Sequence, residues 1–177
     1  GPGTLISFEE PEVESPVVSG IASNREEAEI TVTGLPDRPG AAAALLAPIS
    51  DAHIEVDMIV MNAPRAGSVD LSFSIQRADY EQAMEISRQA AQSVGADDVL
   101  GDDRTVKISV VGVGMRSHAG VATTMFETLA REGINVRMVS TSEIKISVLV
   151  DEKYLELGVR SLHEAFGLER PRDGADM

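Results

Sequence analysis

The sequence predicts an α+β fold of two tandem strand–helix–strand–strand–helix units, one set inside the other. Three observations predict it. Apolar spacing switches repeatedly between a period of two and a period near 3.6. The resulting order of elements occurs twice. The second occurrence ends one strand short, while a strand near the N-terminus has no place in the first.

Residues 1–16 (GPGTLISFEEPEVESP) are acidic, contain proline and lack periodicity; they read as a leader, with Gly1-Pro2 a scar of protease cleavage. Residues 17–22 (VVSGIA) are short and β-branched, a strand. Residues 28–33 (AEITVT) alternate and read as another. GLPDRPG then turns the chain into 41–51, where Ala and Leu favour helix despite Pro48. A strand over 54–62, the turn APRAGS and a strand over 69–76 follow, the last with Leu71, Phe73 and Ile75 on one face. Asp79 suits the N-cap of a helix over 80–94, and Gly95 stops it. Residues 97–100 supply a short last strand.

The order then returns. A strand at 106–111 (VKISVV) runs into the glycine-rich turn GVGMRSHAG, and a helix over 121–132 stops at Gly133. Strands at 134–140 and 144–150 precede a helix over 152–166 that stops at Gly167; 170–177 (RPRDGADM) is a polar tail. Similarity is visible in letters too, with IEVDMI at 54–59 against INVRMV at 134–139. This is the split β-α-β order of ferredoxin-like folds, and each unit needs a fourth strand. The first unit has 97–100. For the second, the unassigned strand at 17–22 is the obvious donor, which places the first unit, 23–104, within the second, 17–22 plus 105–169; the other reading makes 17–22 an ordered arm.

Composition narrows the function. The 177 residues leave room for one medium domain or two small ones. With 43% hydrophobic but 3% aromatic residues and no Trp, the core must be aliphatic. A formal charge of −14 argues against nucleic acid, which needs clustered Lys and Arg, and gives no reason to expect an anionic membrane; it reads as solubility. No Cys excludes disulfides, thiolate metal sites and a Cys nucleophile, and fits a cytoplasmic setting. No apolar run approaches the ~18 residues of a membrane span.

Two equivalent turns, 34–40 and 112–120, deliver the chain directly into helices. The N–H groups and positive dipole end there suit a carboxylate, and Pro39 and Gly40 permit a tight turn and a close approach. A plain turn capped by Asp37 fits the spacing equally well. Catalytic motifs are wanting: there is no dinucleotide or phosphate-loop spacing. His53, His118 and His163 are scattered, which argues against a metal site, and only His118 lies in a loop suited to a ligand. Ser140, Thr141 and Ser142 have no base placed to activate them. Met58, Met61, Met115 and Met138 fall on or beside strands, where core packing is the default. No cofactor is expected.

Several segments are specific enough to carry a resemblance: VSGIA at 18–22, ITVTGLPDRPGAAA at 30–43, KISVVGVGMRSHAGVA at 107–122, INVRMVSTSEIKISVLV at 134–150 and LHEAFGL at 162–168. Over about 3–168 the chain resembles the regulatory region of bacterial aspartokinases, also made separately as the β-subunit. The resemblance implies tandem ACT domains that catalyse nothing themselves and have no kinase domain. It implies a homodimer in which the first unit of one chain meets the second unit of its partner, and association with a catalytic aspartokinase domain or α-subunit. Threonine, and in some members lysine, binds at that interface and inhibits the first step toward lysine, threonine and methionine. An assembly scaffold with a weakened effector response is the alternative.

By position, the resemblance implies an effector site of Asp37, Arg38, Pro39, Gly40, Ala41, Met61 and Asn62, joined by Asn135 and Val136 of the partner chain. The pseudo-equivalent site would use Met115, Arg116, Ser117, His118 and Gly120 with Ile54, Glu55 and Val56. The departures are specific. Met61-Asn62 replaces the family's Gln-Asn, Ile54-Glu55-Val56 replaces Ile-Asn-Ile, Ser117-His118-Ala119-Gly120 replaces SHPG, and Ala63-Pro64-Arg65 replaces a Val-Ser turn. Exchanging Gln for a thioether removes a donor and an acceptor, which implies altered effector choice or sensitivity.

Overall fold

The computed structural model describes residues 17–115 and 119–168. These divide into two units: Arg25–Val106, and residues 17–24 with 107–168.

Strand β1 spans Val17–Pro36, 20 residues, where the sequence pattern suggested two strands separated by Ser-Asn-Arg-Glu-Glu. That polar run interrupts the apolar alternation but not the ladder, because backbone groups make the ladder whatever side chains they carry. The same holds for β4, Asp98–Val113, which joins the expected strands at 97–100 and 106–111. Between them lie helix α1 (Ala41–Asp51), strands β2 (Val56–Met61) and β3 (Ser68–Gln76), and helix α2 (Tyr80–Val94). After β4 come α3 (Ala119–Arg131), β5 (Met138–Thr141), β6 (Lys145–Asp151) and α4 (Leu155–Ala165).

Within Arg25–Val106 the strand order is β2-β3-β1-β4, and β3 pairs antiparallel with both β1 and β2. Ile30, Val32, Leu71, Phe73 and Ile75 form the apolar face, covered by Leu45 and Ile49 of α1 and Ala83, Ala90 and Ala91 of α2. Those helix spacings put each apolar set on one side. Gly95, at φ 84°, ends α2 as expected. Asp79 stands at the N-cap but makes no side-chain bond there, because a single 3-10 turn, Arg77–Asp79, already leads the chain in.

The other unit repeats the plan with the order β1-β4-β6-β5. Residues 17–24 of β1 occupy the fourth position: Ser19 Oγ donates to the Val111 carbonyl at 3.2 Å. Here β5 is shorter than the expected strand at 134–140, because buried Ile134 bonds back to the Leu129 carbonyl and closes α3. The helix expected at 152–166 opens as a 3-10 turn, Glu152–Tyr154, capped by the Asp151 carboxylate. Gly158 lets α4 lie close to β4; a Cβ there would sit 2.9 Å from Ile108 Cδ1.

The repeat extends to side chains. Ile30-Thr31-Val32-Thr33-Gly34 matches Ile108-Ser109-Val110-Val111-Gly112. Thr31 Oγ1 and Ser72 Oγ lie 2.7 Å apart across β1 and β3, and Ser109 Oγ and Ser147 Oγ lie 2.6 Å apart across β4 and β6. Each hydroxyl pair links the first and third strands of its unit.

Candidate functional site

At the C-terminal end of β1 the register with β3 shifts between Val32 and Leu35, and Gly34 takes a φ of 68°. The chain pairs again as far as Pro36 and then turns through Asp37, Arg38, Pro39 and Gly40, all exposed. Gly40, not Asp37, is the N-cap of α1, and its φ of 90° suits glycine. The first full helical bond runs from Ala44 N to the Gly40 carbonyl. Ala42 and Ala43 therefore have no intrahelical acceptor for their amides at the mouth of the helix. Ala41 is buried and anchors the turn.

Neighbours hold this loop on two sides. Asp37 N donates to the Gly67 carbonyl at 2.9 Å. Gly67 belongs to a two-residue turn in which Ala66 and Gly67 both have positive φ, closed by reciprocal bonds between Arg65 and Ser68. Arg38 Nη2 donates to the Val94 carbonyl at 3.4 Å, at the C-terminal end of α2. A cation is favoured there by the helix dipole.

Met61 and Asn62 reach the same end of the unit. Asn62 N donates to the Asp70 carbonyl at 3.2 Å, and Asp70 N donates to Asn62 Oδ1 at 2.9 Å. Asp70 Oδ1 in turn accepts from Gly34 N at 3.0 Å. The expected residues of the first site that belong to this unit are thus brought to one edge. Unlike buried Met58, Met115 and Met138, Met61 is 48% exposed, so core packing does not describe it. Sequence reasoning missed Asp70. Its signal was a carboxylate two residues before Ser72, at the strand end beside Asn62.

The other expected residues are placed differently. Ile54 is buried in the core cluster, Glu55 is exposed and Val56 half-buried, at the opposite end of β2 from Met61. Met115 is buried, and its amide donates to the Glu143 carbonyl at 3.2 Å. Gly120 is exposed in the first turn of α3, while Arg116, Ser117 and His118 lie outside the described residues. Asn135 is exposed and Val136 half-buried on the approach to β5, where Arg137 N donates to the Leu149 carbonyl at 2.8 Å.

The arrangement at the first loop offers N–H donors to a small anionic group. Among the described residues no three metal-ligating side chains come together, and no helix is long and apolar enough to cross a membrane.

Comparison with known proteins places the site in context. Two ACT-domain family models match residues 29–91 and 108–166. An aspartokinase of Pseudomonas aeruginosa is 56% identical over 97% of this chain, which spans only 42% of that relative's length. Among solved structures, one of aspartokinase α and β subunits is similar with a TM-score of 0.81 and 53% identity, covering 86% of this chain and 100% of its own. The regulatory subunit of aspartate kinase from Thermus thermophilus, in a ligand-free form, has a TM-score of 0.80 and 32% identity, covering 84% of this chain and 98% of its own.

Proposed function

We propose, from the premise that this chain belongs to the aspartokinase family as its ACT-domain regulatory part, that it binds a small amino acid and transmits that binding as feedback inhibition of aspartate phosphorylation. The observation that carries the reading is the exposed turn at 37–40, which opens onto the unbonded amides of Ala42 and Ala43 with Asn62 secured on the same edge. An amino-acid carboxylate is the natural acceptor for such amides. Threonine is the effector proposed, with lysine a second candidate, and Asp37, Arg38, Pro39, Gly40, Ala41, Met61 and Asn62 form the site.

The active form is a homodimer. In the unit Arg25–Val106, β2 is the edge strand, and it exposes Ile59, Val60 and Met61. In the other unit β5 is the edge and exposes Val139. Exposed apolar edges favour pairing with another chain. Asn135 and Val136 of a partner would then complete the site, and the pseudo-equivalent residues Met115, Arg116, Ser117, His118 and Gly120, with Ile54, Glu55 and Val56, a second one. The two units are read as domains, 23–104 inserted in 17–22 plus 105–169, acting on a catalytic aspartokinase domain or α-subunit in the cytoplasm.

Calorimetric titration with threonine and with lysine, alongside sedimentation at matched concentrations, tests this function. Threonine is expected to bind and to strengthen the dimer, and Ile59→Lys to abolish both effects. A dimer indifferent to either amino acid would replace this reading with that of an assembly scaffold.

A further inference from the structure

We propose that Asp70 is a positioning residue that ties the effector loop to edge strand β2, so that amino-acid affinity depends on a carboxylate at the base of the loop. The role presupposes that the turn at 37–40 is the effector site.

The register shift between Val32 and Leu35 takes the Gly34 amide out of the regular ladder. Asp70 Oδ1 receives that amide at 3.0 Å, a charge-assisted bond at a part-buried position. The same residue meets Asn62 through two further bonds, Asp70 N to Asn62 Oδ1 and Asn62 N to the Asp70 carbonyl. One aspartate therefore fastens the end of β1, three residues before Asp37, to the residue that follows β2. The bond also orients Asn62. With Oδ1 engaged, its amide nitrogen remains to donate. A donor suits a carboxylate ligand rather than an ammonium.

Among its described residues the second unit lacks this device. The position equivalent to Asp70, two residues before Ser147, is Lys145. The equivalent glycine, Gly112, donates instead to the backbone carbonyl of Ile144 at 2.8 Å. A side-chain carboxylate thus closes one unit and a main-chain carbonyl the other. Removal of the Asp70 carboxylate therefore acts on the loop at 37–40.

The test uses the full chain with Asp70→Ala and Asp70→Asn, titrated with threonine and with lysine well below the melting temperature of each variant. Asp70→Ala is expected to raise the Kd of the bound amino acid about tenfold. Asp70→Asn, which keeps an acceptor for Gly34 N, should hold it within about threefold. A purely structural role would lower the melting temperature and leave Kd unchanged, and an unchanged Kd in Asp70→Ala overturns the proposal. Hydrogen exchange without ligand is read in parallel. Faster exchange at Gly34 and Asn62 in Asp70→Ala, restored in Asp70→Asn, supports the tie; equal rates in all three proteins overturn it. Should the unsubstituted chain bind neither amino acid, the effector reading fails and the exchange rates alone decide the tie.

Discussion

At Gly34 the backbone holds a φ of 68°, and a Cβ would lie 2.2 Å from Asp97 Oδ2. Alanine there would meet a left-handed torsion and a clash with a short side chain whose own amide is bonded to the Thr33 carbonyl. Gly34→Ala is expected to cost about 2–4 kcal/mol, seen as a lower urea midpoint with little change in slope. Gly40→Ala meets only the torsion, with nothing within 4 Å of the added carbon, and should cost less. The sequence marked Gly40 as a turn former, since glycine beside proline at a strand-to-helix junction has few other uses, and placed Gly34 only at the start of the same turn. It could not separate a glycine needed for its torsion from one also needed for space. Asp70 was hidden for a related reason: a carboxylate at a strand end looks like solvent-facing polarity until the partner that bends toward it is known.

Among elements, the helices were the more legible. The pattern at 41–51 and 80–94 gives the bounds of α1 and α2: Ala and Leu content marks the first, and apolar period with a stopping glycine, Gly95, marks the second. Strand ends were less so, since β1 and β4 run straight through polar stretches that resemble loops. One element carries a pH-sensitive anchor. Tyr80 opens α2 half-buried, and a Cβ on Gly101 would lie 2.3 Å from its hydroxyl. Burial, and then the charges of Asp103, Glu81 and Asp102, raise its pKa above 10.0, with Arg88 opposing. The folded chain therefore keeps this proton at pH values where the unfolded chain has released it. The associated stability is intact below about pH 10 and falls as pH rises through the raised value. Urea midpoints followed from about pH 9 to 11 should fall more steeply for the unsubstituted chain than for Tyr80→Phe.

For the whole molecule, the division at 24/25 and 106/107 has an experimental consequence. The segment 25–106 holds four strands and two helices in one uninterrupted stretch and should unfold cooperatively when made alone. The segment 107–168 lacks the strand that 17–24 supplies beside β4. Alone it should show poorly dispersed amide resonances, and added peptide 17–24 should sharpen them; a well-dispersed spectrum without the peptide would overturn that view of the unit. The count of strands made the missing one legible in the sequence, although the order β1-β4-β6-β5 was not. The same pairing imposes a timetable on synthesis. Ser19 finds its partner Val111 only 92 residues later. At ribosomal speeds of about 5–20 residues per second, that is a wait of roughly 5–18 seconds. Through that interval the whole of 25–106 can be translated and begin to fold, while 17–24 trails as an unmatched strand, a target for a chaperone or for the wrong neighbour on a polysome.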